Sequence, residues 1–329
     1  MLVKGGTRVH SEAVAVSSRA VVASAYGGPE VLRVVDVDTS EPGPGNVLID
    51  VRAAAVNAID WKRYSGAFTT DPNQLPMRLG YEVSGVVSAV GPSVRWLSPG
   101  DEVIAWRVDG GYADRIVASE QVTVRRPSNL DWAPASGLLL TGATAVHTLS
   151  ATGTHDGDVV LVHGGSGGVG RMVVQLAVLR GAQVVATASP NHHDDLRTLG
   201  AIPVAYGEGL LDRLRDVVRT TGPISVAIDT VGTDEALDTS VAVVEDRQRI
   251  ATIAGFRRAG ELGIRALGGG PGADPGTLVR EAARAQLAEL ASDGTLDVRV
   301  AQTYALEDAA KAHADGLTGH VHGKLVLLP

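Results

Sequence analysis

Residues 159–170 read Val-Val-Leu-Val-His-Gly-Gly-Ser-Gly-Gly-Val-Gly, and this stretch decides how the rest of the chain is arranged. Four consecutive apolar residues are typical of a short buried strand. The small residues that follow predict a tight turn, and the apolar spacing of 171–177 predicts a helix. A strand, a glycine turn and a helix in this order form the phosphate-binding unit of dinucleotide-binding domains.

Three glycines in this stretch, Gly165, Gly167 and Gly170, match the pattern Gly-x-Gly-x-x-Gly. The first is expected in the turn, the second leaves room for a pyrophosphate, and the third lets the helix pack against the strand. Backbone N–H groups at a helix N-terminus bind anions. We therefore expect the phosphates to meet the backbone N–H groups of the following residues: Gly165, Ser166, Gly167, Gly168, Val169 and Gly170.

The residues after the second predicted strand, 183–188, bear on which dinucleotide binds. An NAD site has Asp or Glu near the end of that strand, where it binds the ribose 2′-OH. Here Ser189, Asn191 and His192 occupy the region, so no carboxylate repels a 2′-phosphate and three polar groups are available. The sequence favours NADP(H). A second role for Ser189 and Asn191, compatible with the first, is to cap a helix over 192–199.

A rival interpretation of the same turn is a serine hydrolase. Residues 164–168 also satisfy Gly-x-Ser-x-Gly, with Ser166 as nucleophile, and Asp229 followed by His313 or His320 supplies partners in the order that such enzymes use. Gly170 is superfluous to that motif, and the first half of the chain lacks the β/α units that precede such a nucleophile. A hydrolase is therefore the minor alternative.

The composition excludes several classes of protein. The chain has 329 residues, 44% of them hydrophobic, a net charge of −8 and no cysteine. The negative charge argues against nucleic acid and anionic membranes as partners. Without cysteine there are no disulfides, no thiol catalysis and no cysteine zinc ligands, which fits a cytoplasmic protein. No apolar run is long enough to span a bilayer, and we expect 1–18 to be a flexible extension.

The chain divides into a β-rich part and a β/α part. From 19 to about 125, short Val- and Ile-rich runs alternate with Gly- and Pro-rich turns, with a helical interruption at 58–66 and a helical region at 132–149. Alternating strands and helices then predict a parallel sheet. The strands are expected at 159–163, 183–188, 202–206, 225–230 and 249–254, and the helices at 168–180, 192–199, 209–220 and 233–244. The tail is expected to contain a possible strand at 261–267, helices at 277–292 and 306–317, and strands at 298–303 and 324–328.

Several short motifs occur together and in order, and through them residues 19–329 resemble the medium-chain dehydrogenase/reductase superfamily. The branch that fits is that of the zinc-independent, zeta-crystallin-like quinone oxidoreductases. The motifs are found at 25–32, 56–62, 79–87, 110–113, 142–145, 163–170 and 322–327.

The resemblance implies an α/β fold in which a Rossmann doubly wound parallel sheet is inserted in a GroES-like β-barrel-type domain. The expected Rossmann NADP-binding domain is 140–271, and the GroES-like substrate domain is 19–139 together with 272–329. The active site is expected in the cleft between them. The resemblance also implies a homodimer, for which the apolar stretch 262–267 is the candidate contact.

The resemblance further separates this chain from zinc alcohol dehydrogenases, which have Gly–His–Glu where this chain has Gly80–Tyr81–Glu82. We expect no metal. Without a Lewis acid, hydride from NADPH must go to an acceptor that is already electrophilic, which is a quinone or another conjugated carbonyl. The alternatives are an enone or alkenal reductase with little quinone activity, and a crystallin-like protein that binds NADPH without turnover.

The family pattern also implies the roles of further side chains. Asn57 and Asp60 match an Asn-x-x-Asp beside the nicotinamide. Lys62 is a candidate for polarising or protonating a carbonyl oxygen, with a surface lysine as its structural alternative. Tyr64 is the alternative proton donor, and no single catalytic acid is assigned. Two of the expected cofactor contacts have structural alternatives, a core aromatic for Tyr206 and a solvated edge lysine for Lys324. The remaining expected cofactor contacts are Thr144, Tyr206, Thr230, Val231, Ala254, Gly255, Phe256 and Lys324.

Overall fold

The computed structural model describes residues 16–329, and the first third of this range is a β domain. Asn57 begins the one α-helix of this part, and its backbone N–H donates to Asp60 Oδ2 at 2.9 Å, as in a capping box. The predicted β-rich region and its helical interruption are confirmed. The elements are β1 (Val16–Ala23), β2 (Leu32–Thr39), β3 (Asn46–Val56), α1 (Ala58–Tyr64), β4 (Met77–Arg78), β5 (Glu82–Val90), β6 (Glu102–Trp106), β7 (Arg115–Ser119) and β8 (Thr123–Arg125).

Two helices, α2 (Trp132–Ser136) and α3 (Leu138–Ala151), are separated by Gly137 and lead into an alternating β/α block. The alternation agrees with the sequence prediction to within a few residues. At 261–267 the structure has the end of a helix and a two-residue strand. The block consists of β9 (Val159–His163), α4 (Gly168–Leu179), β10 (Gln183–Ala188), α5 (His193–Thr198), β11 (Ala201–Ala205), α6 (Leu210–Thr221), β12 (Val226–Asp229), α7 (Asp234–Val243), β13 (Ile250–Thr252), α8 (Phe256–Leu262) and β14 (Arg265–Ala266).

The six strands of this block form one parallel sheet in the order β11-β10-β9-β12-β13-β14. This is the doubly wound order, in which the chain turns back at β9 and continues on the other side. All five residues of β9 are buried because helices cover both faces of the sheet. Ligands bind outside the carboxyl ends of the strands at this reversal, so β9 and β12 position the site.

The tail returns to the β domain through α9 (Thr277–Ser292), β15 (Val300–Ala305), α10 (Ala309–Leu317) and β16 (Lys324–Leu328). Strand β16 pairs antiparallel with β3 and parallel with β15. The result is a seven-stranded sheet, β15-β16-β3-β5-β6-β8 with β7 on β3, beside a three-stranded sheet, β2-β1-β4. Strands from before and after the β/α block thus share one sheet, and the predicted insertion of a Rossmann domain into a GroES-like domain is confirmed.

Two observations bear on the predicted domain limits. Strand β1 already begins at Val16, and the rest of the extension expected over 1–18 lies outside the described residues. Helix α9 was expected in the substrate domain, yet its buried Ala283, Leu287 and Ala291 pack in one core with Val160 of β9. We therefore propose that the Rossmann domain extends through α9. Among residues 16–329, no helix combines the length and apolar character needed to cross a membrane.

Candidate active site

A cleft of about 920 Å³ runs between the β domain and the carboxyl ends of β9, β10, β12 and β13. This volume is in the range of small-molecule sites. Residues 56–59, 61 and 62 of the β domain line one wall, and the turns after the four parallel strands line the other. Residues 316–321, 323 and 324, from the end of α10 to the start of β16, close one side of the cleft.

The glycine turn after β9 occupies one end of the cleft, but the roles of its glycines differ from those predicted. Gly164, which was not singled out, makes the turn with a φ of 76°. A Cβ on Gly165 would lie 2.7 Å from Cβ of Ala186, and one on Gly170 would overlap the carbonyl oxygen of Gly164. Gly165 and Gly170 are therefore buried packing positions, and neither lines the cleft.

Three backbone N–H groups at this turn are available to an anion. Those of Ser166, Gly168 and Val169 have no acceptor among residues 16–329, and all three residues line the cleft. The N–H of Gly165 instead donates to the Thr187 carbonyl at 2.9 Å, and that of Gly167 to the Gly164 carbonyl at 3.1 Å. The turn and the first residues of α4 thus form an anion cradle that is smaller than the six residues expected.

Two of the three residues expected at a 2′-phosphate line the cleft, namely Ser189 and His192, whereas Asn191 is exposed outside it. The Ser189 hydroxyl lies 3.0 Å from the hydroxyl of Tyr206, which is half exposed and lines the cleft, so Tyr206 is not a core aromatic. Neither Ser189 nor Asn191 caps the following helix, because His192 is the residue that precedes α5 and no side chain caps it.

Two histidines that are far apart in the chain meet beside this region. The rings of His192 and His322 stack with their centroids 3.9 Å apart, and His322 Nε2 lies 3.0 Å from Asp195 Oδ2. Burial lowers the pKa of His322, partly offset by Asp195. Glu235 is the one carboxylate that lines the cleft in the described part of the chain, and its Oε2 accepts from the Gly207 N–H at 3.0 Å.

The ends of β12 and β13 are held together by Asp229. This buried carboxylate accepts hydrogen bonds from the N–H groups of Val231 and Gly232 and from the Thr252 hydroxyl, at 3.0, 2.9 and 2.6 Å. Of the residues expected here, Thr230, Val231, Ala254 and Phe256 line the cleft. Gly255 does not line the cleft. It packs against α7, where a Cβ on Gly255 would lie 2.7 Å from the Leu237 side chain.

These contacts also rule out the assembly that a serine hydrolase requires. The Asp229 carboxylate is bound by its own turn, as described above. His313 is buried in the β domain, where Nδ1 lies 2.9 Å from the Tyr64 hydroxyl and Nε2 lies 3.2 Å from the Tyr112 hydroxyl. His320 lines the cleft, but no hydrogen bond joins it to Ser166 in residues 16–329. The Ser166 motif therefore belongs to the anion cradle.

At the other end of the cleft, Lys324 and Asn57 are joined. Lys324 Nζ donates to Asn57 Oδ1 at 2.6 Å and to the Val56 carbonyl at 2.7 Å, and it is buried, so it is not a solvated edge lysine. Burial lowers the pKa of the Lys324 ammonium, while the carboxyls of Glu82 and Asp60 oppose that shift. The Lys324 ammonium thus has fixed partners on its protein side and lines the cleft on the other.

Asp60 lies behind Asn57 and does not line the cleft. Its Oδ2 accepts from the Asn57 N–H at 2.9 Å and from the Tyr112 hydroxyl at 2.8 Å. Burial raises the pKa of the Asp60 carboxyl to about 6, although both hydrogen bonds oppose the rise. Asp60 thus positions Asn57 and contributes negative charge beneath Lys324.

Of the two expected proton donors, only Lys62 reaches the cleft. Its Nζ lies 5.2 Å from the centroid of the Phe256 ring, and burial lowers its pKa. Tyr64 is fully buried, and its hydroxyl is engaged by His313, so the expectation that it donates a proton to a substrate is wrong. Thr144 lines the cleft, and its hydroxyl donates to the Leu140 carbonyl at 2.8 Å.

Other lining residues were not anticipated from the sequence. They include Gly164, His163, Glu235 and Arg280. His163 ends β9 and precedes the turn, so its place in the motif was a usable signal. Arg280 comes from α9, more than a hundred residues later in the chain, and no local pattern connects it with the turn.

Comparison with known proteins agrees with this architecture. The family profile for the alcohol dehydrogenase GroES-like domain matches residues 43–130, and that for a zinc-binding dehydrogenase matches residues 208–327. In the part of the chain that the structure describes, no three His, Cys, Asp or Glu side chains are grouped as metal ligands.

Individual relatives are similar over most of this chain. It is 34% identical over 250 residues to an NADPH-dependent alkenal/one oxidoreductase of Arabidopsis thaliana, covering 72% of this chain and 62% of that protein. It is 32% identical over 323 residues to a quinone oxidoreductase of Pseudomonas aeruginosa, covering 93% and 98%. A mycobacterial structure solved with NADPH superimposes with a TM-score of 0.82 at 31% identity, covering 95% and 100%.

The chain spans less than two thirds of the length of three of these curated relatives. The matched shares of those proteins are 62%, 60% and 59%. The match to the Pseudomonas protein, in contrast, runs over almost the whole of both chains. Sequence, fold and site geometry agree, and the chain belongs to the medium-chain dehydrogenase/reductase superfamily, in its quinone oxidoreductase branch.

Proposed function

We propose that this protein is a zinc-independent oxidoreductase that uses NADPH to reduce a quinone or another conjugated carbonyl compound. The observation that carries the proposal is the composition of the cleft. It joins an anion cradle of three free N–H groups to the Lys324–Asn57 pair, and the region after β10 offers Ser189 and His192 instead of a carboxylate. The relatives named for NADPH-dependent and quinone oxidoreductase activity support it.

The residues present fit NADPH. The N–H groups of Ser166, Gly168 and Val169 hold the pyrophosphate, because they are free and lie at the N-terminus of α4. Ser189, His192 and Tyr206 bind the 2′-phosphate side, with His322 stacked behind His192. The contacts proposed for the nicotinamide half are Asn57, Thr144, Thr230, Val231, Ala254, Phe256 and Lys324.

When bound, the reduced nicotinamide supplies the hydride, and the protein supplies position and charge. Lys324 and Asn57 orient the ring from the floor of the cleft, and Asp60 keeps Asn57 in place. Lys62 holds a positive charge where negative charge develops on the acceptor oxygen, and its N–H donates to that oxygen. A hydroquinone anion takes its proton from solvent, so reduction of a quinone needs no dedicated acid.

An enone or alkenal reductase is the second candidate, and the printed names of two relatives favour it: an alkenal/one oxidoreductase and a 2-methylene-furan-3-one reductase. The two candidates share the cofactor site and differ in the shape of the acceptor end. A crystallin-like protein without turnover is the third, and the free Nζ of Lys62 in the cleft argues against it.

We also propose a homodimer in the cytoplasm, with the stretch 262–267 as the contact. This stretch contains β14, the last strand of the six-stranded sheet. Its outer edge is covered in part, because the Asp274 N–H donates to the Ala266 carbonyl at 2.8 Å. Light scattering coupled to gel filtration tests the dimer, and a monomer at micromolar concentration would contradict it.

Titration of the purified protein with NADPH and with NADH, followed by fluorescence, tests the cofactor. We expect much tighter binding of NADPH, then NADPH oxidation on addition of menadione or an enone. Equal affinity for both dinucleotides would contradict the NADP assignment. Binding of NADPH without oxidation by any acceptor would favour the non-catalytic alternative. Ser166→Ala should keep most of the rate, whereas a hydrolase would lose it.

A further inference from the structure

The acceptor end of the cleft contains a second cation, Arg280 of α9, that the proposed reaction does not use. Its Nε donates to His147 Nδ1 at 3.2 Å. Its Nη2 is buried without a hydrogen-bond partner, and its Nη1 has no acceptor among residues 16–329 either. The two terminal nitrogens, which form the fork that matches a carboxylate, are therefore unpaired among residues 16–329, and Nη2 is enclosed by protein atoms.

Arg280 and Lys62 both lie near the Phe256 ring and the loop that contains Gly268. A Cβ on Gly268 would lie 3.8 Å from Arg280 Nη2 and 3.9 Å from Cζ of Phe256. Lys62 Nζ lies 5.2 Å from the centroid of that ring. Both cations line the cleft, and neither forms an ion pair with a described carboxylate.

No described carboxylate forms an ion pair with either cation, although Asp274 favours the charged form of Arg280 from a longer distance. The cleft carboxylate Glu235 binds the N–H of Gly207, beside Tyr206 and the Ser189 region. Asp274, the acid nearest to Arg280 along the chain, is 3.2 Å from His147 Nε2 and forms no ion pair with Arg280. Lys324 differs from both, because the carboxyls of Asp60 and Glu82 beneath it favour its charged form. Burying an unpaired guanidinium is costly unless an anion or water completes it.

We propose that the preferred acceptor is a conjugated carbonyl compound that also carries a carboxylate, which Arg280 binds while Lys62 faces the carbonyl oxygen. A neutral quinone or enone uses one cation at its carbonyl oxygen and leaves the second unpaired. An acceptor with a carboxylate satisfies both. This inference rests on the proposed reductase activity, and it concerns only which acceptors bind well.

The test compares β-acetylacrylate with its methyl ester, and menadione serves as a neutral acceptor. Arg280→Gln should raise the KM for the acid at least about ten-fold while leaving kcat and the KM for the ester nearly unchanged. Arg63→Gln is the control, because Arg63 is on the same helix as Lys62, pairs with the exposed Asp109 and does not line the cleft. The Arg63→Gln variant should keep the wild-type KM and kcat for both the acid and the ester.

A binding measurement separates recognition from turnover. Levulinate is the product of reducing the double bond of β-acetylacrylate. Calorimetry with NADP⁺ present should show that Arg280→Gln weakens the binding of levulinate at least about ten-fold but not that of its methyl ester. Arg280→Lys, which keeps the charge and loses the fork, should fall between. Circular dichroism and unchanged NADPH affinity verify that each variant is folded.

Three results would overturn the inference. Equal effects of Arg280→Gln on acid and ester would make Arg280 a packing residue. Weaker NADPH binding by that variant would assign the guanidinium to the cofactor. If the wild type binds levulinate no better than its ester, the site does not recognise a carboxylate. If neither menadione nor either form of acetylacrylate is reduced, the proposed function itself fails, which is a different outcome.

Discussion

At the residue scale, the site depends on positions where one atom more or less decides the contact. Gly164 alone takes the left-handed backbone in the turn, while Gly165 and Gly170 are needed because neighbouring atoms leave no room for a Cβ. The histidine at the end of β9 shows the opposite situation. His163 is buried in the cleft wall, and its Nε2 has no hydrogen-bond partner.

Gly170→Ala should lower both the stability and the cofactor affinity. The added methyl overlaps the carbonyl oxygen of Gly164, so α4 must move away from β9. We expect a loss of about 1–3 kcal/mol in the free energy of unfolding and weaker NADPH binding. Urea denaturation and fluorescence titration measure the two effects.

Gly260→Ala is the matched control. No atom lies within 4 Å of a Cβ at this position in α8. Because alanine favours a helix over glycine, stability should rise by up to about 1 kcal/mol, with NADPH binding unchanged. If the two variants have the same free energy of unfolding and the same NADPH affinity, the turn tolerates the methyl group added at residue 170.

His163 should make the protein less stable in mild acid. Burial lowers its folded pKa to about 4, against 6.5 for an ordinary histidine. Between these two pKa values the unfolded chain binds a proton that the folded protein excludes. The stabilising contribution is fully present above pH 6.5 and is lost as pH falls toward 4, by up to about 3 kcal/mol.

His163→Leu removes the titratable imidazole and places an apolar side chain in the cleft wall. Urea unfolding at a series of pH values should show a smaller decline in the free energy of unfolding between about pH 6.5 and pH 4 than the wild type shows. His313, whose folded pKa burial also lowers to about 4, keeps the remaining slope. An unchanged slope in the variant would show that His163 is protonated in the fold.

At the element scale, the carboxyl ends of four strands bring the cofactor wall together. The turn after β9 provides N–H groups, the region after β10 provides hydroxyl and imidazole groups, and the turns after β12 and β13 are tied by Asp229 and Thr252. The Thr252 hydroxyl also accepts from the Gly255 N–H at 2.8 Å, so one side chain fixes two turns.

Thr252→Val keeps the shape and removes this hydroxyl. The Asp229 carboxylate loses a donor and the Gly255 N–H loses an acceptor, in a fully buried place. We expect a cost of about 1–3 kcal/mol in stability and a weaker NADPH affinity, because both turns line the cleft.

The control is Thr239→Val in α7, a buried threonine whose hydroxyl makes no hydrogen bond with residues 16–329. It should change the free energy of unfolding by less than about 0.5 kcal/mol. Urea denaturation and NADPH titration compare the two variants. An unchanged NADPH affinity in Thr252→Val would show that the hydrogen bonds of this hydroxyl are not needed for cofactor binding.

At the scale of the whole molecule, the last strand closes the first domain. Strand β16 lies between β15 and β3, and Lys324 at its start reaches Asn57 at the beginning of α1. His322, just before β16, stacks on His192 of the Rossmann domain. The last ten residues therefore complete the β domain and link it to the cofactor wall.

Leu327→Ala should destabilise the β domain. Leu327 is fully buried and pairs with Ala54 of β3, so the truncation leaves a cavity that costs about 2–5 kcal/mol. The neighbouring Leu328 is 39% exposed, and Leu328→Ala should cost much less. Thermal unfolding compares the two, and similar melting temperatures would mean that β16 contributes little to the domain.

Much of the fold and part of the site are predictable from the residues alone. The apolar run 159–162 followed by glycines predicts the strand, the turn and α4, because these signals are local and periodic. The alternation after residue 159 predicts the parallel sheet for the same reason. The lack of an acid after β10 is likewise visible in the sequence.

Only the tertiary structure decided which of the nominated side chains face the cleft. Tyr64 and Lys62 are two residues apart, yet one lies in the core and the other in the cleft, because successive helical positions point to different faces. Gly165 and Gly170 belong to the motif but face the packed interior. The joining of Lys324 to Asn57, and of Arg280 to the acceptor end, depends on contacts between segments far apart in the chain. Local sequence determines elements, but the packing of distant elements determines which atoms meet.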